Sequence, residues 1–130
     1  ELAHAQVDFV DNWQPQVDTI KQQGGVYVSR DHEGRHLVPV NIYSPEEYAG
    51  DPDVFIVFAK QMTLQDLLER SAHFFHPDHQ YVFSGMNGMG HIEKINQYFP
   101  QERVVAGTCL IGTVLNKAGD VDFIGKSGAG

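Results

Sequence analysis

The sequence predicts an α/β fold with a mostly parallel sheet, and three observations carry that expectation. The first is the unbroken apolar run Val54-Phe55-Ile56-Val57-Phe58-Ala59, the pattern of a parallel strand buried on both faces. The second is the alternation of such runs with segments of helical spacing, strand after helix after strand, which requires helical crossovers. The third is punctuation: Asp11-Asn12, Gly24-Gly25, Asp51-Pro52-Asp53 and Ser84-Gly85-Met86-Asn87-Gly88-Met89-Gly90 separate these segments with turn-forming residues.

Each element follows in order. Val7-Asp8-Phe9-Val10 alternates and ends in Asp11, as a strand running into a polar loop does. Pro15 fits the first turn of a helix that carries Val17 and Ile20 and stops at Gly24-Gly25. Val26-Tyr27-Val28 and His36-Leu37-Val38-Pro39-Val40 flank a polar segment and read as a hairpin or a pair of short edge strands, which Pro39 keeps away from a sheet centre. Ser44-Pro45-Glu46-Glu47 is a capping box that opens a short helical turn. After the apolar run, Thr63 and Asp66 are expected to cap a helix with Leu64, Leu67, Leu68, Ser71 and Phe75 on one face, ended by Pro77. Tyr81-Val82-Phe83 is the next strand, and Ile92, Ile95 and Phe99 mark a helix reaching Pro100. Val104 to Ile111 reads as a further buried strand, and Val121 to Ile124 as a last one after the turn Ala118-Gly119-Asp120. No internal repeat interrupts the series.

Composition narrows the function classes. A chain of 130 residues with 42% hydrophobic residues suits a single domain over residues 1–130. A formal net charge of -8 argues against a nucleic-acid partner, which requires clustered Lys and Arg. Apolar runs far shorter than the roughly 20 residues of a bilayer crossing argue against a membrane span. The single cysteine, Cys109, makes no internal disulfide and reads as an inert thiol inside an apolar strand; the expected compartment is the cytoplasm.

Ligands of parallel α/β sheets bind beyond the carboxyl ends of the strands, and three candidates fall there. Asp11 closes the first strand and can accept hydrogen bonds from a ribose while repelling a 2'-phosphate. Lys60 closes the central strand and offers a compact cation to a phosphate or carboxylate. Asn87 lies in the glycine loop with both a donor and an acceptor. Each also has an ordinary structural role: Asp11 as a helix cap, Lys60 as a solvated strand end, Asn87-Gly88 as a plain turn. Their joint position favours the ligand reading. His73, His76 and His79 have metal-like spacing, but Pro77 interrupts them and no completing ligand set accompanies them, so no metal site is assigned.

At these residues the chain resembles the amino-terminal domain of the ketopantoate reductase, or 2-dehydropantoate 2-reductase, family. Val7 to Asp11 is similar to that family's second Rossmann strand, Asp53 to Lys60 to its D-hydrophobic-K strand, and Asn87-Gly88-Met89-Gly90 to its NGxG loop. Glu102-Arg103-Val104-Val105-Ala106-Gly107-Thr108 followed by Ile111-Gly112 resembles its ERV-G-T-IG stretch. The resemblance implies a Rossmann-like domain of an enzyme passing a hydride from NAD or NADP to a small-molecule 2-keto acid, in pantothenate biosynthesis if the acid is ketopantoate. It implies cofactor contacts at Asp11, Lys60, Asn87 and Thr113, with Asn87 also touching substrate.

Two departures refine this. The glycine fingerprint of a dinucleotide fold precedes its ribose-binding acid by about 20 residues, yet only ten precede Asp11. Glu1 to Ala5 then resembles the tail of a first helix, and the family's general-acid lysine belongs to a helical domain beyond Gly130. The expectation is an incomplete Rossmann-like domain lacking its first βα unit and the helical domain. No catalytic residue is assigned within it; it is expected to be inactive alone, with an exposed strand edge that implies a partner strand, a homodimer contact or local disorder. The second departure is the absence of a basic residue in Asp11-Asn12-Trp13-Gln14, which favours NAD over NADP. That makes an NAD-dependent D-2-hydroxyacid dehydrogenase for branched 2-keto acids the runner-up, and a non-catalytic nucleotide-binding module the alternative of another class.

Overall fold

The computed structural model describes residues 6–86, 90–107 and 112–124. In chain order the elements are β1 (Asp8–Val10), α1 (Gln14–Gln23), β2 (Val26–Arg30), β3 (Glu33–Val38), β4 (Asn41–Tyr43), β5 (Val54–Val57), α2 (Gln61–Ser71), β6 (Tyr81–Ser84), α3 (His91–Ile95), β7 (Val104–Ala106), β8 (Gly112–Lys117) and β9 (Asp120–Ile124). Short 3-10 turns follow α2 and precede β7. Of the six strand pairings among the described residues four are parallel, so the class is α/β with mostly parallel pairing. The elements divide into two units: residues 1–44 with 110–130, and residues 45–109.

In the first unit, α1 starts after Trp13 with Pro15 in its first turn and ends at Gly24, whose φ of +83° is the left-handed conformation that only glycine adopts without strain. Val17 and Ile20, three residues apart on one face, bury against Ile42 with Val26 and Val40 around them. β1 pairs in parallel with β4, a strand the sequence pattern does not announce because Asn41-Ile42-Tyr43 carries a single buried apolar residue. The other sheet has the order β3-β2-β9-β8. β3 is its edge, consistent with Pro39 just beyond it. β8 is a second strand not anticipated from sequence: Thr113, Val114 and Leu115 are all exposed, so no alternating apolar face marks it.

The β2–β3 hairpin turns on Asp31 and His32, with φ of 50° and 66°. Paired positive φ values suit a two-residue hairpin and are uncommon outside glycine, with Asn, Asp and His the side chains that adopt them most readily. Fully buried Asp122 on β9 supports this turn: one of its carboxylate oxygens accepts both the His32 backbone N–H (2.9 Å) and the Ser29 hydroxyl (2.9 Å). The His32 bond is the main cause holding the Asp122 carboxyl below its ordinary range.

In the second unit, β5, α2, β6, α3 and β7 form a parallel three-stranded sheet in sequential order, a βαβαβ arrangement. Leu64 and Leu68 of α2, Ile95 of α3, and Phe99 bury against Val82 and Met86, with Phe55, Val57 and Val104 packed on them. Phe55, Phe75 and Phe99 meet edge to face or tilted within 6.0 Å. Two expectations are corrected. α2 is not capped by Thr63 or Asp66: Lys60 is the N-cap residue, the Thr63 hydroxyl donates back to the Lys60 carbonyl (3.2 Å), and Asp66 pairs with Arg70 (3.3 Å). Helix α2 also ends at Ser71, well before Pro77.

The larger correction concerns β5 and β7. The apolar run is covered on one face only. Phe55, Val57 and Ala59 face the helices, whereas Val54, Ile56 and Phe58 are 51, 63 and 63% exposed. Val105 of β7 is 52% exposed on the same face, because Val105 pairs with Phe83 and Phe83 with Ile56. Both helices of this unit pack on the opposite side, which is the physical reason.

Candidate functional site

Parallel pairing of β5 with β6 brings their carboxyl ends side by side in the second unit: Val57 stands opposite Ser84, and the Gly85 N–H donates to the Val57 carbonyl at 3.3 Å. Just beyond lie Lys60 on one strand and Gly85-Met86 on the other. The exposure alternation of β5 continues past the ladder, so Phe58 and Lys60 are exposed while Val57 and Ala59 are not. Lys60 is held at φ -74°, ψ 146° as the residue before α2, and its backbone carbonyl is engaged by Thr63. Its ammonium has no ion pair among the described residues, in a protein of net charge -8.

Asn87, with Gly88 and Met89, lies outside the described residues. Ser84 is fully buried and His91, the first residue of α3, is 8% exposed, and among the described residues the Ser84 Oγ and His91 Nδ1 atoms have no hydrogen-bond partner. Gly90 precedes α3 at φ +89°. A Cβ at Gly85 would meet Phe58 Cε1 at 2.5 Å, so the phenylalanine ring lies close over the glycine and would have to shift for any side chain there. Phe83 rests similarly on Gly107, where a Cβ would meet its ring at 2.6 Å. The spacing Phe58-x-Lys60 in a strand was the available signal for an exposed ring beside the lysine, obscured by reading the whole run as buried.

Asp11 and Thr113 belong to the first unit. Asp11 follows β1; its N–H donates to the Tyr43 carbonyl (3.1 Å), and its Oδ1 accepts the Trp13 N–H (2.8 Å). It therefore shapes the entry to α1 without being its cap, since Trp13 holds that position. Asp11 also lines an apolar cavity of about 310 Å³ with Phe9, Ile20, Val28, Ile42 and Phe123 among its walls. Thr113 is exposed on β8 opposite Phe123, one of those walls. Cys109 and the Glu1–Ala5 segment lie outside the described residues.

The histidines are occupied separately. His73 bonds the Arg70 and Tyr48 carbonyls, and His79 bonds both oxygens of Asp51 (2.8 and 3.0 Å) while stacking on His76. Among the described residues no three metal-ligating side chains form a group. His79 is raised from its ordinary value by the Asp51 hydrogen bond, and Asp51 is lowered by His79. This pair sits before β5 and β6, at the end opposite Lys60. Among the described residues no helix is long and apolar enough to cross a membrane.

Comparison with known proteins agrees with the sequence motifs. The profile of the "Ketopantoate reductase PanE/ApbA" family matches residues 1–129. A 2-dehydropantoate 2-reductase of Streptococcus pyogenes is 32% identical over 104 residues, covering 80% of this chain and 33% of that protein. The chain thus spans about a third of the length of the curated relatives it matches. Among solved structures, D-mandelate dehydrogenase with NADH and anilino(oxo)acetate is similar with a TM-score of 0.86 at 23% identity, over 95% of this chain and 39% of that one. The 2-dehydropantoate 2-reductase of Porphyromonas gingivalis gives 0.74 at 16% identity, over 92% and 41%. These likenesses show the Rossmann-like fold, and the family match over almost the whole sequence shows that the chain belongs to the ketopantoate reductase PanE/ApbA family.

Proposed function

We propose that the chain forms the nicotinamide-dinucleotide part of an oxidoreductase that reduces a 2-keto acid to a 2-hydroxy acid. The observation that carries this reading is the βαβαβ unit with Lys60, which has no ion pair among the described residues, at the carboxyl end of β5, beside the β6 end that leads into Asn87. A βαβαβ sheet is one mononucleotide-binding half of a dinucleotide fold, and its ligand lies beyond the strand ends.

In this reading the Lys60 ammonium holds the nicotinamide ribose or the substrate carboxylate, and the Asn87 amide bonds both cofactor and substrate near the reacting carbon. Asp11 bonds the adenosine ribose, and Thr113 contributes a hydroxyl to the cofactor. The cofactor supplies the hydride; the protein's work is to orient donor and carbonyl. Asp11 with no basic residue after it favours NADH over NADPH. If the 2-keto acid is ketopantoate, the reaction belongs to pantothenate biosynthesis, the activity by which the similar Streptococcus pyogenes protein is named. A second reading, a D-2-hydroxyacid dehydrogenase acting on branched 2-keto acids, rests on the same preference for NADH.

The test is oxidation of NADH and NADPH by the intact protein, followed at the nicotinamide absorbance with ketopantoate, branched 2-keto acids and an aryl 2-keto acid. Turnover of ketopantoate with NADH in preference to NADPH supports the first reading. Preference for another branched 2-keto acid selects the second, preference for the aryl acid overturns both substrate assignments, and no turnover with any of them contradicts both readings.

A further inference from the structure

We infer that Phe58 is a stacking platform for the nicotinamide ring of the cofactor. The inference deepens the proposed function and rests on it. Phe58 is 63% exposed, and among the described residues its ring meets no other aromatic ring. One side of that ring lies on the Gly85 backbone, so closely that a Cβ at Gly85 would be 2.5 Å from Cε1 and 3.0 Å from Cζ. A large apolar side chain left to solvent but seated on a glycine presents a positioned flat surface, which is what a planar heteroaromatic ring requires.

Its place selects the ligand. Phe58 lies past the last ladder residue of β5, two positions before Lys60 and on the same exposed side of the alternating segment. Val54 and Ile56 share that side but stand within the ladder, lower on the sheet, and are aliphatic. In the proposed function Lys60 holds the nicotinamide ribose, so the planar ring that reaches Phe58 on the same side of this segment is the nicotinamide. The competing use of Phe58 is as part of an apolar face covered by another polypeptide element, which predicts no effect on cofactor affinity.

The experiment is titration of the intact protein with NADH and with ADP-ribose, which lacks the nicotinamide, for wild type, Phe58→Leu and Phe58→Tyr. Leucine keeps an apolar side chain and loses the ring; tyrosine keeps the ring. The expected result is NADH binding weakened about three- to tenfold by Phe58→Leu. Phe58→Tyr restores it, and ADP-ribose binding is the same for all three. NADH affinity unchanged in Phe58→Leu, equal weakening of NADH and ADP-ribose, or a tyrosine variant as weak as the leucine variant overturns the inference. If wild type binds ADP-ribose and NADH equally, the nicotinamide is unrecognised and the inference also fails. If wild type binds neither, the proposed function itself fails.

Discussion

At the scale of single residues, the account turns on charges and amides whose types were legible in the sequence and whose surroundings were not. Lys60 was identifiable because a lysine ends an apolar run; that it lacks an ion pair among the described residues required the structure. Replacing it by methionine preserves the exposed stem and removes the charge. The expected result is a KM for NADH or keto acid raised about tenfold or more, with the melting temperature within about 3 °C of wild type. Steady-state kinetics and a thermal melt check both parts. Asp11 has a dual part, because its Oδ1 accepts the Trp13 N–H. Asp11→Asn retains a carbonyl for that bond but gives up the charge that favours a free ribose hydroxyl and repels a 2'-phosphate. The ratio of kcat/KM for NADH to that for NADPH is expected to fall about tenfold; an unchanged ratio would leave Asp11 a turn residue only.

Local elements were read most reliably where backbone chemistry dictates them. Gly24 ends α1 in the left-handed conformation that the sequence Gly24-Gly25 announced. Gly24→Ala is expected to destabilise by about 1 kcal/mol through the positive φ alone. At Gly25 a Cβ would run into the Val38 carbonyl, a backbone atom that yields poorly, so Gly25→Ala should cost about 1–3 kcal/mol. Denaturant melts of the two variants separate the mechanisms. The elements missed, β4 and β8, are short or carry exposed side chains, so neither shows the apolar alternation that marks a strand. The run around β5 misled in the opposite direction: an unbroken apolar segment signals burial on both faces, yet α2 and α3 cover only one.

The clasp formed by Asp51 and His79 joins the approaches to β5 and β6 and makes a pH prediction. The folded pKa of His79 lies above its ordinary 6.5, so its contribution is complete below about pH 6.5 and is lost as pH rises through the folded value. Asp51 lies below its ordinary 3.8, so its contribution is present above that pH and lost as pH falls through the lower folded value. The clasp therefore acts between about pH 4 and pH 6.5. Thermal melts of wild type and His79→Gln should differ more at pH 5.5 than at pH 8.5. A difference that is constant or larger at pH 8.5 contradicts the pairing.

For the molecule as a whole, the α/β class and the order of the motifs were readable because parallel strands, crossovers and strand-end loops each leave a local pattern. The division into two units was not: β8 and β9 join the unit of β1 to β4, and β9 pairs with β2 across 93 residues, a long-range pairing that no local pattern encodes. The family is established by the match over residues 1–129, and the central functional claim is that Lys60 and the loop after β6 hold a nicotinamide dinucleotide. The most direct measurement is titration of NADH into the intact protein and its Asn87→Ala variant, with melting temperatures recorded alongside. The account predicts saturable binding by wild type, affinity lower by about tenfold or more in the variant, and equal melting temperatures. NADH binding that is absent in wild type, or equally tight in Asn87→Ala, would contradict it.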